Sequence, residues 1–564
     1  MMAINRNRTN RQPSGGERWG SILVTVLVVV LMLSLAAYTF TEMMVAERQA
    51  TEMFAREVAA RSFADSGIEL AAALLGNRSE AVLENYYHNP ELFQAVLMRD
   101  SEADRGRGRF SIVATVENDT SGSAIRYGLI DESGKLNLNT LLRLGLEDEQ
   151  LRDSLLQLPE MSIETADAIL DWLDEDEQPR ESGAENEYYE TLSPPYSTKN
   201  GPLESLDELL KVRDVTPSLL FGEDSNRNGL LDPNENDGDA SPPLDNADGV
   251  LQLGWSAYVT VYSRETNLKL DGTQRIDVNQ QDLVELFDTL QQEFDEETAQ
   301  FVAAYRLYGP YDPDVDTNGN NGSNTPGQTS QSLGGGSNSQ PRGSGNQPEG
   351  SGSQSGSSGS GSSEESMRGG LNLSGEGQNQ VNSLYDLIGA QVRGQVAGEE
   401  TTLESPWADD PSEMQGFLPE LLDVLATTSE GFIEGRVNIS QARREVLLGI
   451  PEMDEQLVEA ILGAQAYGAG GDLTGSSRAT TGWLLIEGLV ELEQMRKLDK
   501  YITLRGDVFR VQVVGYYDAG GPVSRLEAVI DASQDPPKIV SFRDLTDLGW
   551  GYSRSLLQSS GTGF

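Results

Sequence analysis

Residues 19–41 read WGSILVTVLVVVLMLSLAAYTFT and contain no charged side chain. The segment Ile22 to Ala37 is almost wholly Leu, Val, Ile, Met and Ala, so with its flanks it is long enough to cross a bilayer as one helix. Residues 1–18 carry four arginines and one glutamate, and such a positive flank stays on the cytoplasmic side. The stretch therefore predicts a single-pass membrane anchor with the bulk of the chain on the far side.

The apolar pattern continues beyond the membrane span as an amphipathic repeat. Charged residues such as Arg48 and Glu52 stand between apolar positions, which is typical of one exposed and one packed helix face. We predict one helix from Ser21 to Leu75, about 80 Å long at the usual rise per residue. The apolar positions recur at spacings of three and four, and they are Met43, Ala46, Ala50, Phe54 and Val58, then Ala64, Ile68, Ala71 and Leu75.

Composition limits what the rest of the chain can do. Its 564 residues are too many for one hydrophobic core, so two or more packed units are expected. The 90 acidic residues outnumber 41 basic ones, and the net charge of −49 repels phosphate, so we expect no nucleic-acid partner. There is no cysteine and His88 is the only histidine, which excludes Cys-His pairs and multi-His metal sites. No pair of carboxylates is singled out for catalysis, and we expect no enzyme activity.

Alternating apolar residues indicate four strands at the two ends of the chain. Phe110 to Val116 and Ile125 to Ile130 flank a turn-rich segment, residues 118–122. Val508 to Val514 and Val523 to Ile530 form a second such pair. The sequence therefore predicts a small antiparallel sheet split by a long, acidic and mostly helical middle.

An internal repeat runs through that middle. Its copies begin at Leu136, Ile276 and Val437, and each predicts a short strand or turn, a helix, a tight hairpin and a second helix. This layout resembles the helix-hairpin-helix unit of DNA-binding proteins. Glu160 and Glu452 stand in the first and third hairpins, where a carboxylate repels phosphate, so we interpret the units as packing or partner-binding modules.

Residues 224–235, which read DSNRNGLLDPNE, fit the spacing of an EF-hand calcium loop and are called the calcium loop below. Gly229 at position six permits the sharp turn. The alternative is a turn rich in Asp and Asn that holds no ion, since these residues also favour turns by bonding to local backbone. The expected ligand groups are the side chains of Asp224, Asn226, Asn228, Asp232 and Glu235 and the carbonyl of Leu230.

The start of the anchor resembles a prepilin leader. Arg18-Trp19-Gly20-Ser21 precedes the apolar run, as in the type III signal that a prepilin peptidase cuts after glycine on the cytoplasmic side. The resemblance implies cleavage between Gly20 and Ser21 and a helix that survives as a pilin stalk. Two alternatives remain open: an uncleaved anchor, and a secretory signal cut near residues 33–37.

Two further resemblances narrow the family. Most pilins have glutamate at the fifth mature position, where this chain has Thr25, and K-type minor pseudopilins of type II secretion characteristically lack it. Asp171-Trp172-Leu173-Asp174-Glu175-Asp176, with Glu185 beyond it, resembles a characteristic K-type segment. That resemblance implies calcium, so Asp174, Asp176 and Glu185 are candidate ligands for a second ion. The alternative is a solvated acidic face.

The predicted fold is therefore α+β: a transmembrane and stalk helix, a small pilin-like sheet, and a large inserted α-helical domain with helix-hairpin-helix-like repeats. The Gly/Ser-rich segment within the insertion is expected to be disordered. The expected divisions are a leader at 1–20, the stalk at 21–75, the head at 76–130 and 506–533, the insertion at 131–310 and 371–505, a linker at 311–370, and a tail at 534–564.

The resemblance implies a minor pseudopilin at the tip of a periplasmic pseudopilus, anchored in the inner membrane, that starts assembly and aids protein export across the outer membrane. Its expected partners are other minor pseudopilins, the prepilin peptidase, the inner membrane and secreted proteins. A minor pilin of a type IV pilus or competence system is the first alternative. A membrane-anchored DNA receptor is the second.

Overall fold

The computed structural model describes residues 18–77, 86–117, 124–311, 366–468 and 478–558. Most of the predicted leader, the turn at 118–122 and residues 312–365 of the predicted linker lie outside the described residues.

The helices of the described residues differ greatly in length. One long helix precedes the sheet, and most of the others lie in the insertion. They are α1 Arg18–Leu75, α2 Pro90–Phe93, α3 Asp148–Leu156, α4 Ile163–Leu173, α5 Asn186–Tyr189, α6 Pro217–Phe221, α7 Leu283–Glu293, α8 Glu296–Tyr308, α9 Pro411–Val424, α10 Arg444–Leu448, α11 Glu455–Gly468, α12 Trp483–Ile486, α13 Leu492–Leu498 and α14 Arg554–Leu557.

The strands divide in the same way, with the longer ones in the head and mostly short pairs in the insertion. They are β1 Val96–Arg99, β2 Gly108–Thr115, β3 Ile125–Arg126, β4 Ile130–Asp131, β5 Leu136–Asn137, β6 Val259–Thr260, β7 Arg264–Thr266, β8 Ile276–Asp277, β9 Met367–Arg368, β10 Leu371–Asn372, β11 Gln391–Val396, β12 Glu399–Glu404, β13 Leu425–Ala426, β14 Phe432–Glu434, β15 Val437–Asn438, β16 Ile502–Thr503, β17 Val508–Tyr517, β18 Ser524–Asp531 and β19 Lys538–Asp544.

Helix α1 covers the whole of the segment predicted as membrane span and stalk, and it begins three residues before the predicted start at Ser21. It contains no proline, so its hydrogen-bond ladder runs unbroken for 58 residues. Among the helices of the described residues, α1 is the one long and apolar enough to cross a membrane. Its side chains are exposed from residue 22 to residue 55, and its last turns pack on the sheet through Ala60, Ala64, Ile68, Ala71 and Leu75.

The head is an antiparallel sheet of seven strands in the order β1-β2-β17-β18-β19, with β3 on β2 and β4 on β17. Strands predicted near 110–116, 508–514 and 523–530 are confirmed. We call the face that α1 covers the inner face and the opposite face the outer face.

The strand predicted from Ile125 to Ile130 is instead two short strands. β3 pairs with β2, whereas β4 pairs with β17. The chain changes partner around Gly128, where a Cβ atom would lie 2.1 Å from the carbonyl oxygen of Tyr87. Close backbone approach therefore interrupts the strand.

The segment predicted as a tail belongs to the head. β19 extends the sheet beyond β18, and residues after it return across the outer face. The apolar and aromatic residues Ile539, Phe542, Trp550 and Tyr552 are too far apart to indicate this from local pattern alone. The head therefore continues well beyond Ser533, the end predicted from sequence.

The three segments predicted as repeats lie in the insertion between β4 and β17. Each copy begins with a two-residue strand that pairs in parallel with a strand much later in the chain: β5 with β6, β8 with β13, and β15 with β16. Asn137, Asp277 and Asn438 occupy the same place in the three copies. In each, the side-chain oxygen accepts a hydrogen bond from the backbone N–H two residues on, at 2.8–3.0 Å.

Two parts of the insertion differ from the prediction. Residues 366–370, assigned to the linker, lie in a folded β9–β10 hairpin, where Ser366 is buried and a Cβ at Gly369 would touch Phe287. Strands β11 and β12 form a second antiparallel hairpin in a region predicted to be helical.

A buried ionic cluster joins the insertion to the sheet. Glu132 is fully buried, and the Arg510 guanidinium on β17 donates to it at 2.7 Å, while the Lys135 ammonium donates at 3.0 Å. The Thr260 hydroxyl on β6 also donates to this carboxylate. Burial alone would raise the pKa of Glu132, but Arg510 and Lys135 lower it to about 2.

We predict that Gly515→Ala destabilises the protein, because the added Cβ on β17 would lie 2.1 Å from the carbonyl oxygen of Ala60 on α1. Forcing extra volume into such a contact should lower the free energy of unfolding by about 3 kcal/mol. Thermal unfolding of the detergent-solubilised chain, followed by tryptophan fluorescence, measures the effect.

Gly416→Ala is the matched control. Gly416 lies in α9, and a Cβ there meets no atom within 4 Å. Because alanine favours helix over glycine, this variant should be as stable as the parent or more so. An equal loss in both variants would contradict the close packing of α1 on the sheet.

Candidate functional site

The calcium loop lies between the insertion and the outer face of the sheet. It follows α6, and the turn at Gly222 has a left-handed φ of +67°. A Cβ at Gly222 would meet the carbonyl of Gln252 at 2.1 Å, so the chain enters the loop through a turn that requires glycine. Pro233–Glu235 forms a single 3-10 turn at its end.

Side-chain oxygens of the loop accept hydrogen bonds from backbone N–H groups of the same loop and so hold it in a tight turn. The carboxylate of Asp224 accepts from the backbone N–H groups of Asn228 at 3.0 Å and Gly229 at 2.8 Å. Asn226 and Asn228 accept from the N–H two residues on, at 3.0 and 2.6 Å. These turns bring positions one, three and five of the loop together.

The end of the loop is tied back to its start. Glu235 accepts from the backbone N–H of Ser225 at 3.0 Å and of Asp232 at 3.1 Å. The amide nitrogens of Asn226 and Asn228 donate to Asp232 at 2.6 and 2.9 Å. The six expected ligand residues therefore belong to one hydrogen-bonded loop, which Leu230 joins through its backbone N–H.

Burial disfavours the charged forms of two acids of the loop, Asp224 and Glu235. Asp224 is 7% exposed and Glu235 is 1% exposed, and no lysine or arginine of the described residues forms an ion pair with either. Burial raises the pKa of Asp224 to about 6 and raises the pKa of Glu235. Arg525 is close enough to oppose the shift at Asp224 but forms no ion pair with it, and buried carboxylates without a paired cation, among other oxygen donors, fit a hard divalent cation.

The second candidate group is also brought together. Ligand oxygens of Asp174, Asp176 and Glu185 all lie within 4.8 Å of one another. The carboxylates of Asp224, Asp232 and Glu235 do not form such a group in the part of the chain that the structure describes. The structure therefore gathers acids more tightly at the site that the sequence indicated less sharply.

Unpaired buried oxygens face this second group. Asp174 Oδ1 and Glu185 Oε1 are buried and accept no hydrogen bond within the described structure. Burial raises the pKa of Asp174 and of Glu185, although Arg180 opposes the shift at Asp174 and Thr198 opposes it at Glu185. A cation would satisfy these oxygens, so the donor set fits calcium here too.

Asn200 is a candidate ligand that the sequence analysis missed. Its Oδ1 is likewise buried without a hydrogen bond, and its Nδ2 donates to the carbonyl of Asp176 at 2.5 Å. The residue has a left-handed φ of +47° and precedes Gly201. That Asn-Gly pair was the available signal, because it marks a turn.

Arg180 partly neutralises the negative charge of the acids beside this group. It donates to Asp171 at 2.8 Å, to Asp174 at 2.5 Å and to Asp148 at 3.1 Å. Asp171 is fully buried, so its charge depends on this partner.

The predicted cleavage residues lie inside α1, because the helix begins at Arg18 and not at Ser21. Gly20 and Ser21 belong to the first turn of α1, and Thr25 follows one turn later. In the repeats, Glu160 and Glu452 have left-handed φ angles of 55° and 67° at equivalent points of their hairpins. Trp255 donates to the carbonyl of Pro159 in the first hairpin, and Gln494 donates to that of Glu452 in the third.

Comparison with known proteins gives a family match within the insertion. Residues 134–221 match the family model described as Type II secretion system (T2SS), protein K. Type II secretion system protein K of Klebsiella pneumoniae is 29% identical over 214 residues, covering 36% of this chain and 60% of the relative. The protein of that name from Aeromonas hydrophila is 48% identical over 59 residues, covering 10% and 18%. These matches confirm the resemblance to the K-type family.

A comparison with solved structures finds a match that covers most of both chains but is weak in identity and in superposition. The crystal structure of the GspK-GspI-GspJ complex from the type 2 secretion system of enterotoxigenic Escherichia coli covers 88% of this chain and 98% of its own matched chain. The identity is 10% and the TM-score is 0.30, which is too low to establish a shared fold.

We predict that Arg180→Ala destabilises the protein, because it leaves Asp171 buried without its cationic partner. Breaking a buried pair in this way should lower the free energy of unfolding by about 3 kcal/mol. Urea unfolding in the presence of a chelator measures this effect apart from any metal.

Arg444→Ala removes an arginine that also has two acidic partners, Glu455 and Glu459, but at an exposed site. Its unfolding midpoint should stay close to that of the parent. If Arg180→Ala behaved like this control, the proposed dependence of Asp171 on Arg180 would be wrong.

Proposed function

We propose that this chain, which carries a type II secretion system protein K domain at residues 134–221, is a minor pseudopilin at the tip of a secretion pseudopilus. The observation that carries the proposal is the family match in the insertion, together with a head whose sheet packs on a long, membrane-compatible helix. The chain spans about 60% of the length of the Klebsiella relative, so its role as a whole remains our inference.

The length of α1 supports an anchored subunit with its head in the periplasm. Residues 22–59, which precede the packed turns, rise about 57 Å as a helix. The hydrocarbon core of a bilayer takes about 30 Å of that length. The head would stand roughly 25 Å above the inner membrane, on a stalk whose exposed apolar residues suit packing against stalks of other minor pseudopilins.

The position at the tip rests on Thr25 and on the insertion. A threonine offers no carboxylate to the amine of a preceding subunit, which is compatible with a subunit that enters first. The insertion separates β4 from β17 by more than 370 residues of sequence, a bulk more easily placed at the end of a fibre than between its subunits. We infer that the chain starts assembly, aids export across the outer membrane and contacts secreted proteins there.

We also propose that the repeats are helix-hairpin-helix-like packing modules and that the chain has no enzymatic or nucleic-acid-binding role. The packing role is supported by Trp255 and Gln494, which donate to carbonyls of the first and third hairpins. The acidic hairpin residues Glu160 and Glu452 disfavour phosphate.

Calcium is the proposed cofactor of both acidic sites. In the calcium loop, Asp224, Asn226, Asn228, Asp232 and Glu235 would supply side-chain oxygens and Leu230 its carbonyl. At the second site the donors would be Asp174, Asp176 and Glu185, with Asn200 added. A bound ion would neutralise buried acids and fix the backbone, which is a structural role.

We predict that the prepilin peptidase of the host removes the first 20 residues of the chain. Gly20→Ala should retain them, since cleavage of this signal type requires the glycine. Mass spectrometry of the purified amino terminus after coexpression with the peptidase is the measurement. The processed chain should also copurify with other minor pseudopilins of its host.

Ala36→Leu is the control, because it removes a small residue from the segment that weakly resembles a secretory cleavage site. Its processing should be unchanged. Removal of the same residues from the Gly20→Ala chain would refute the prepilin assignment, and copurification with type IV pilus subunits alone would favour the alternative.

We predict that calcium stabilises the chain and that chelation lowers its melting temperature. Each site held at 100 times its dissociation constant contributes about 2.7 kcal/mol. The double variant Asp224→Asn, Glu235→Gln should lose the increase in melting temperature that calcium produces through the calcium loop. Glu185→Gln should lose part of the increase that calcium produces through the second site. Differential scanning fluorimetry with added calcium or chelator measures both.

Asp239→Asn, at an exposed acid shortly after the loop, is the control and should keep the full response. Melting that is the same with calcium and with chelator in the parent chain would exclude a stabilising ion at either site.

A further inference from the structure

The C-terminal segment, residues 545–557, crosses the outer face of the sheet and is called the latch. Its Tyr552 and Leu557 are buried, and they pack against Val113, Val514 and Tyr516. The latch thus covers apolar side chains that would otherwise face solvent.

Polar contacts hold the far end of the latch. The carbonyl of Leu557 accepts from the Tyr516 hydroxyl at 2.9 Å and from the Ser111 hydroxyl at 3.1 Å. Tyr127 donates to the neighbouring carbonyl of Leu556. This end is therefore fixed by the head alone.

The calcium loop and the sheet both contact the near part of the latch, residues 549–553, and Arg525 on the sheet donates to the carbonyl of Gly549 at 3.5 Å. Asn228 Nδ2 donates to the carbonyl of Gly551 at 2.5 Å. Gly551 has a φ of +66°, and a Cβ there would lie 2.5 Å from the Arg525 guanidinium. A loop side chain thus reaches the latch at a point where only glycine fits.

A second path joins the same three parts. The carbonyl of Arg227 in the loop accepts from Gln512 at 3.0 Å and from Arg525 at 3.2 Å, both on the sheet. The hydroxyl of Tyr552 donates to the same Gln512 side chain. Loop, sheet and latch therefore share one hydrogen-bond network.

We infer that calcium in the loop holds the near part of the latch on the head, so that loss of the ion frees residues 549–553 from the outer face while the far end stays attached to the head. The inference rests on the calcium loop proposed above. Asn228 is the connecting residue, because an asparagine that ligates through Oδ1 keeps Nδ2 free to donate. The ion would fix the orientation of that amide and hence the hydrogen bond to Gly551.

Hydrogen exchange of the full chain in detergent tests the inference, with 1 mM calcium or excess chelator. Asn228→Asp keeps an oxygen ligand that the EF-hand pattern allows and adds negative charge, so calcium should still bind. The variant loses the donor to Gly551 and sets a carboxylate against that carbonyl. Calcium should slow exchange of residues 549–553 at least tenfold in the parent and less than threefold in this variant, while exchange of residues 554–557 stays the same with calcium and with chelator.

Asn226→Asp is the matched control. It makes the same chemical change at position three, where the amide donates to Asp232 and not to the latch, so it should keep the tenfold protection. Protection of the loop without protection of the latch in the parent would overturn the inference and leave the calcium site standing. Latch protection in Asn228→Asp equal to that of the parent would also overturn it. Absence of loop protection in the parent would remove the calcium site and the inference together.

Discussion

The buried Glu132–Arg510 pair is the constraint on which the arrangement of head and insertion depends. Glu132 begins the insertion and Arg510 lies on a central strand of the sheet, so their contact fixes where the insertion leaves the head. Because the folded pKa of Glu132 is lowered to about 2, its stabilising contribution is present above the usual carboxylate pKa and is lost as pH falls through the range from about 4.5 to 2. At neutral pH the junction is therefore fully charged and held.

Local patterns predicted the parts of the fold that depend on near neighbours in sequence. The end of α1 and the strands β2, β17 and β18 followed from periodicity and turn residues. β19 and the latch did not, because what makes them part of the head is a long-range partner. β18 pairs with β19, and the outer face accepts Tyr552, but neither contact leaves a signal within the segment itself.

The two candidate sites differ in the same way. The ligands proposed for the calcium loop lie within 12 consecutive residues, so spacing alone indicated them. The second group combines Asp174 and Asp176 with Glu185. Asn200 lies next to this group because the chain returns past the end of α4, where Asn200 donates to the carbonyl of Asp176. Family resemblance supplied the three acids. The unpaired oxygen of Asn200 could be found only in the folded structure.

The calcium loop contacts several parts of the molecule, so an ion bound in it would affect more than the loop itself. A Cβ at Gly229 would lie 1.9 Å from Thr115 Cγ2, so the loop touches β2, and the opposite face of β2 packs on α1 through Phe110. On one side the loop is therefore separated from the stalk by a single strand. On the other side Asn228 reaches the latch. An ion that fixed these few residues would thereby restrain the insertion, the head and the C-terminal segment relative to the stalk that anchors them.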